Sequence, residues 1–137
     1  MADLAIVAAN FVPSSNAKFK SGIAGETITQ GQPVYLKTTD NLLYKAKNTT
    51  PIVGLVYGIA ANAASVGQPL NVVYEDDDLQ VGTGAFLDTT KVYVLSGTFG
   101  GICPSSDFGT ASYLTVLFVP KSVTNGVMKL LASGALS

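Results

Sequence analysis

Short runs of alternating apolar and polar residues, each closed by a cluster of turn-forming residues, recur along this chain of 137 residues. Side chains on a β-strand point alternately to its two faces, so this spacing is typical of strands with one buried face. Turn formers separate the runs at 38–41, 75–78, 96–101 and 125–126. The pattern predicts strands near residues 34–38, 42–47, 52–60, 69–75, 91–96, 101–104, 113–119 and 127–132.

Residue composition favours the same fold class. Val, Ile and Thr supply 34 residues, whereas Glu, Lys, Gln, Arg and Met together supply 16. β-Branched side chains lose rotamer freedom in a helix and pack well on a sheet, so this balance indicates strands. The alanine-rich stretch 60–65 leaves open a choice between one helical turn and an extended link. We therefore expect an all-β protein.

A weak internal repeat organises the predicted strands. Residues 34–36 and 44–46 resemble 92–94 and 102–104, which lie 58 residues later. Each half then continues with an apolar strand, at 52–60 and 113–120, and a further strand, at 69–74 and 127–132. We interpret the halves as two copies of a three-stranded unit. Two such units facing each other would bury their apolar faces in a small β-barrel or sandwich.

Residues 1–23 fall outside the repeat and are predicted to form an extended N-terminal arm, with the barrel-like body at 24–137. Apolar area on such a segment is not expected to stay in water, so the arm either adds a strand to the body or binds a neighbouring protein. We expect the body to fold without residues 2–19. The arm side chains predicted to make contacts with another subunit or a partner protein are Ile6, Val7, Phe11, Val12 and Phe19.

Charge and residue types narrow the range of functions. The chain has 8 Lys, no Arg and 9 acidic residues, which excludes a basic surface for nucleic acid or an anionic membrane. It has no His, and this removes the commonest acid–base group and the commonest metal ligand. We therefore predict no enzymatic activity, no bound metal and no cofactor. Charged residues make up only 12% of the chain, so we expect another protein to cover part of the surface.

Three motifs could carry chemistry, and each has a simpler structural interpretation. The acidic run 75–78 offers oxygen atoms to Ca²⁺ but lacks the alternating spacing of a calcium loop, so we interpret it as a solvated hairpin tip. Cys103 has no His to activate it and is predicted to be a small buried apolar residue. The glycine-rich stretch 97–101 lacks the Lys-Ser/Thr of a phosphate loop and is predicted to be a hairpin turn.

Six motifs in one order resemble the phage capsid cement, or head decoration, proteins. They are AGETITQGQPVYL (24–36), VGLVYGIAANAASVGQPLNVV (53–73), VGTGAF (81–86), KVYVLSGTFGGICPSSD (91–107), YLTVLFV (113–119) and KLLASGAL (129–136). The resemblance implies a β-barrel-like body bound outside an icosahedral head, as a dimer or trimer, with the major capsid protein as partner. It implies no catalytic residues. The arm residues would then contact the capsid or a neighbouring subunit.

The resulting hypothesis is a structural virion protein that is made in the host cytoplasm, binds the outer capsid surface and cements neighbouring capsomers. The single Cys and the absence of a visible secretion signal agree with cytoplasmic synthesis. The alternative is a carbohydrate- or receptor-binding β domain of a phage head or tail fibre. An exposed aromatic cluster with polar partners would indicate that alternative, and Tyr44, Tyr57 and Tyr113 are its candidates.

Overall fold

A computed structural model describes residues 11–47, 56–81, 92–96, 100–104, 113–122 and 124–136. Nine antiparallel strands form one curled sheet over these residues: β1 (Lys18–Ile23), β2 (Pro33–Lys37), β3 (Leu42–Lys45), β4 (Gly58–Ala60), β5 (Pro69–Gln80), β6 (Tyr93–Leu95), β7 (Ile102–Pro104), β8 (Tyr113–Pro120) and β9 (Asn125–Leu136). No helix occurs in these ranges, and the all-β prediction is confirmed. The same ranges contain no helix long and apolar enough to cross a membrane.

Eight of these strands overlap the strands predicted from the alternating pattern. Strands β5 and β9 are longer than predicted, and residues 52–55 of the predicted strand 52–60 lie outside the described residues. The stretch 60–65 forms no helical turn. Its backbone bends at residues 61 and 62, after which Ala64 exchanges two hydrogen bonds of 2.9 Å with the backbone of Ile28.

The order of strands shows the internal repeat directly. The sheet runs β3-β2-β4-β5-β9-β8-β6-β7, so the path β3-β2-β4-β5 is repeated as β7-β6-β8-β9. The two units meet where β5 pairs with β9. The repeat is therefore a feature of the connectivity. Each unit contains four strands along this path, one more than the predicted three, because both segments of its initial hairpin are strands.

Matching ladder positions in the two units hold buried apolar pairs. Ile59 faces Val73 between β4 and β5, and Phe118 faces Met128 between β8 and β9. All four side chains belong to the larger of two apolar cores, which both units share. In the first unit Pro33 faces Ile59, and in the second Tyr93 faces Phe118. Tyr93 thus occupies the position that Pro33 has in the first unit. The sequence repeat instead matches Tyr93 with Tyr35, two residues after Pro33.

The first unit closes on itself. Strand β1 pairs with β5, and its next residue, Ala24, forms a parallel bridge with Leu43 of β3. Strands β1, β5, β4, β2 and β3 therefore make a ring, and such closure removes exposed strand edges. The smaller core fills this ring with Ala24, Ile28, Val34, Leu43, Ala60, Ala64, Leu70 and Val72.

Strand β4 and the two residues of β5 that pair with it, Val72 and Val73, are buried on both faces. Ile59 and Val73 face the larger core shared by the two units, whereas Ala60 and Val72 face the smaller core inside the ring. A strand covered on both faces needs apolar residues at successive positions. This explains why the sequence around β4, at 55–60, is a continuous apolar run.

Residues 11–23 are part of this body, so the predicted boundary at residue 23 does not match a boundary in the structure. Phe11 is 1% exposed and packs in the larger core. Val12 exchanges backbone hydrogen bonds of 2.8 and 3.1 Å with Gln80, and β1 then runs along β5. Of the two alternatives for the arm, residues 18–23 therefore form the strand added to the body. Deleting residues 2–19 would remove a core side chain and part of a strand.

Candidate functional site

The predicted contact residues have different places in the structure. Ile6 and Val7 lie outside the described residues. Phe11 is buried in the core of its own chain, which corrects its assignment as a contact with another protein. Val12 and Phe19 are 49% and 51% exposed, so their side chains remain accessible for such a contact.

One of the exposed apolar side chains of this N-terminal segment, Phe19, lines a shallow cleft. Ile23, at the end of β1, is a third exposed apolar residue at 39%. Phe19 lines a cleft of about 480 Å³ together with Pro13, Ala61, Asn62 and Asn71. Here Asn62 accepts a hydrogen bond of 2.7 Å from the backbone N–H of Asn71, which orders one wall of the cleft. The segment thus offers apolar side chains next to fixed polar groups.

A buried carboxylate holds the segment against β5. Asp76 is 1% exposed and accepts hydrogen bonds from the backbone N–H of Ser14, at 2.7 Å, and from the Ser14 hydroxyl. It also accepts one from the backbone N–H of Asp78, at 3.1 Å. The prediction of a solvated hairpin tip at 75–78 is therefore wrong. These residues lie inside β5, where Asp76 points to the same side as the buried Leu70 and Val72 and the pairing with β9 is irregular between Asp76 and Leu79.

The other acidic residues of this run are engaged at the surface. Asp78 accepts a hydrogen bond of 3.0 Å from the Asn125 amide and lies 3.6 Å from the Lys121 ammonium. Glu75 pairs with Lys18 at 3.3 Å. Within the described ranges, no three acidic or Cys side chains come together in a group that could hold a metal ion.

A recess with aromatic and charged walls lies on the β2–β3 hairpin. Its volume is about 240 Å³, and Glu26, Tyr35, Tyr44 and Lys45 line it. Tyr35 and Tyr44 face each other across the two strands, with ring centroids 6.2 Å apart. Glu26 accepts a hydrogen bond of 2.8 Å from the Lys45 backbone N–H, and its other oxygen lies 3.9 Å from the Lys45 ammonium.

Hydrogen bonding shifts the pKa values of Tyr44 and Asp40 at one end of the recess. The Tyr44 hydroxyl donates to the Asp40 carboxylate at 2.7 Å, and the Leu42 backbone N–H donates to the other oxygen at 3.0 Å. The Tyr44 hydrogen bond, followed by the Leu42 one, lowers the pKa of Asp40. The same Asp40 bond raises the pKa of Tyr44. Burial, followed by the charges of Glu26 and Asp40, raises the pKa of Tyr35.

A second aromatic group consists of Tyr57 and Tyr74 around Lys20. The Lys20 ammonium lies 4.3 Å from the centre of the Tyr57 ring and 4.8 Å from that of Tyr74. Cation–π contacts of this kind fix the lysine over the rings. Tyr44 and Tyr57, proposed as members of one exposed cluster, are therefore separated, since Tyr44 belongs to the recess and Tyr57 to the group around Lys20. The side chain of Tyr113 lies outside the described residues.

The pairing of Tyr35 with Tyr44 was missed in the sequence, although a signal for it exists. The turn at 38–41 connects two predicted strands, and a hairpin centred on it places residues 35 and 44 opposite each other.

Cys103 is buried, as predicted.

No family model matches the chain, and no curated protein is significantly similar to it. The resemblance to capsid cement proteins therefore rests on the motifs alone.

Proposed function

We propose that this protein is a capsid decoration protein of a phage. It binds the outer surface of the assembled head through the major capsid protein and cements neighbouring capsomers. It acts as a dimer or trimer on the virion surface and catalyses no reaction.

One observation carries this proposal. The segment 11–23 pairs along β5 with Val12, Phe19 and Ile23 between 39% and 51% exposed. Burial of a side chain of this size is worth about 1.5–3 kcal/mol, so three of them form a useful contact when a partner covers them. Their pairing partners Gln80, Val73 and Pro69 place the three side chains in a row along β5, so a partner that covers the whole segment buries all of them.

The anchoring of this segment supports the same function. Phe11 in the core and the Ser14–Asp76 hydrogen bonds fix the segment to the body. A segment that is already ordered loses less conformational entropy when it binds. A load on the bound segment would pass directly into the sheet through its pairing with β5.

The composition agrees with a role in a symmetric shell. Only 12% of the residues are charged, and the six motifs resemble cement proteins in order and spacing. Each copy in a shell makes the same contact. A modest apolar interface on one copy therefore stabilises the shell once for every copy bound.

The test uses heads assembled from the major capsid protein of the same genome, without this protein. We expect the full chain to cosediment with these heads and to saturate. The double variant Val12→Ser/Phe19→Ser should bind at least about tenfold more weakly, because it removes roughly 1.4 kcal/mol or more of apolar burial. Val66→Ser is the matched control, since Val66 is 66% exposed on a turn outside the segment.

Failure of the full chain to bind such heads would refute the proposal. Equal binding by the double variant and the control would instead place the interface on another face of the sheet. A deletion of residues 2–10 separates the contribution of Ile6 and Val7 from that of Val12 and Phe19, because it retains Phe11.

A further inference from the structure

The two units of the fold differ sharply at one matched position. Tyr35 lies two residues beyond Pro33 and faces Tyr44. The corresponding residue of the second unit, two beyond Tyr93, is Leu95, which faces Ile102. Leu95 and Ile102 are fully buried in the larger core, whereas both tyrosines are partly exposed. The shared fold therefore does not require a tyrosine pair at this position.

The tyrosine pair lies in a recess with a polar group available for a ligand. The Tyr35 hydroxyl has no hydrogen-bond partner among the described residues. The charges of Glu26 and Asp40 both act on this hydroxyl. The hydroxyl can thus donate to, or accept from, a molecule in the recess.

Neighbouring residues hold the walls of the recess in place. The Tyr44 ring lies directly against Gly25, where an added Cβ would be 2.3 Å from the ring atom that bears the hydroxyl. Asp40 fixes the Tyr44 hydroxyl, and Glu26 fixes the backbone of Lys45. The turn before β7 supports the other side, since the Gly100 N–H donates to the Ala46 carbonyl at 2.8 Å. A preformed recess of this kind loses little entropy on binding.

The chemistry of the recess favours a small, neutral, hydroxyl-rich ligand. Glu26 is balanced by Lys45, and Asp40 lies near Lys37, whose ammonium is 5.2 Å from the Tyr44 ring centre. Clefts for drug-sized molecules measure roughly 300–1,000 Å³, so about 240 Å³ fits something smaller. A sugar ring has an apolar face for a tyrosine and hydroxyls for carboxylate, ammonium and phenol groups.

We propose that the recess formed by Glu26, Tyr35, Tyr44 and Lys45 binds one neutral sugar unit of a glycan. This site is distinct from the exposed apolar segment 11–23 and does not depend on capsid binding. On a particle, this site would allow each copy of the protein to bind a glycan-bearing surface weakly. The many copies would together bind it with high avidity.

A structural explanation for the same residues makes a different prediction. A cross-strand aromatic pair can stabilise a hairpin without any ligand. In that case the Tyr35 hydroxyl would have no role, and Tyr35→Phe would leave every binding measurement unchanged. Measuring binding and unfolding in the same variants separates the two explanations.

The experiment is an NMR titration of the ¹⁵N-labelled full chain with the methyl glycosides of glucose, galactose, mannose and N-acetylglucosamine. At least one glycoside should shift the amide signals of β2 and β3, with a dissociation constant of about 1 mM, as expected for so small a ligand. Tyr35→Phe should weaken this binding about threefold to tenfold, the usual effect of one lost hydrogen bond. Tyr57→Phe, at the other aromatic group, should leave it unchanged.

Two results would overturn the proposal. The first is the absence of shifts at β2 and β3 with all four glycosides at near-saturating concentration. The second is binding that Tyr35→Phe and Tyr57→Phe leave equally strong, while both variants retain the unfolding midpoint of the parent chain. Because the titration contains no capsid, its failure leaves the head-binding proposal untouched.

Discussion

Ser14 and Asp76 join two parts of the chain that are 62 residues apart, since the Ser14 N–H donates to the buried Asp76 carboxylate at 2.7 Å. The Ser14 hydroxyl donates to the second oxygen of the same carboxylate. This contact fixes the N-terminal segment at the point where the pairing of β5 with β9 is irregular. It is the polar counterpart of the apolar anchor that Phe11 provides.

Replacement of this carboxylate should destabilise the fold. Asp76→Ala leaves the N–H groups of Ser14 and Asp78 without their acceptor, and a buried unsatisfied group costs about 1–3 kcal/mol. We expect the free energy of unfolding in urea to fall by about that amount. Asp77→Ala is the control, because Asp77 is exposed beside Asp76 and its loss should cost less than about 0.5 kcal/mol. Equal losses in the two variants would mean that the Ser14 contact contributes nothing.

The apolar anchor should be stronger than the polar one. Phe11→Ala creates a cavity in the shared core, and truncation of a buried Phe typically costs about 3–5 kcal/mol. Phe19→Ala makes the same truncation at a half-exposed site and should cost less than about 1.5 kcal/mol. Urea denaturation of both variants measures the difference. A Phe11→Ala variant as stable as the parent chain would show that residue 11 is not part of the core.

The Tyr44–Asp40 hydrogen bond should limit the pH range over which the β2–β3 turn is most stable. The pKa of Asp40 in the folded state lies below its usual 3.8. The contribution of Asp40 to stability is therefore complete above pH 3.8 and is lost as the pH falls through the lowered pKa. The pKa of Tyr44 in the folded state lies above its usual 10.0. The contribution of Tyr44 to stability is therefore complete below pH 10.0 and is lost as the pH rises through the raised pKa.

Carboxyl ¹³C NMR titration checks this relationship. Tyr44→Phe removes the donor and should move the pKa of Asp40 up, towards its usual value. Tyr57→Phe should leave the pKa of Asp40 where it is, since Tyr57 lies at the other aromatic group. An Asp40 pKa that is the same in all three proteins would contradict the hydrogen bond.

Local sequence patterns were sufficient to predict most of the fold. Turn formers at 38–41 and 96–101 mark the two hairpins, and the repeated strand pattern anticipates the repeated connectivity. Strand β1 was predicted only as one of two alternatives for the arm, because its residues Lys18–Ile23 are nearly all exposed and carry no strong apolar alternation. Its place in the sheet depends on pairing with β5, about fifty residues away.

The candidate sites were harder to predict for the same reason. Four acidic residues in a row normally indicate a solvated turn, and the inward orientation of Asp76 depends on a distant partner, Ser14. The burial of Phe11 likewise depends on a core built from both units. The recess on the β2–β3 hairpin needs Glu26 from a separate connection, which only the bridge from Ala24 to Leu43 brings to β3.

The central proposal is that this protein cements a capsid, and the most direct measurement is the temperature at which purified heads lose their integrity, followed by calorimetry with and without the bound protein. We predict that saturation with the full chain raises this temperature and that saturation with the Val66→Ser control raises it equally. The Val12→Ser/Phe19→Ser variant should give a smaller increase at the same concentration, because it binds the heads more weakly. Heads that bind the full chain and still fail at the temperature of bare heads would contradict a cementing role.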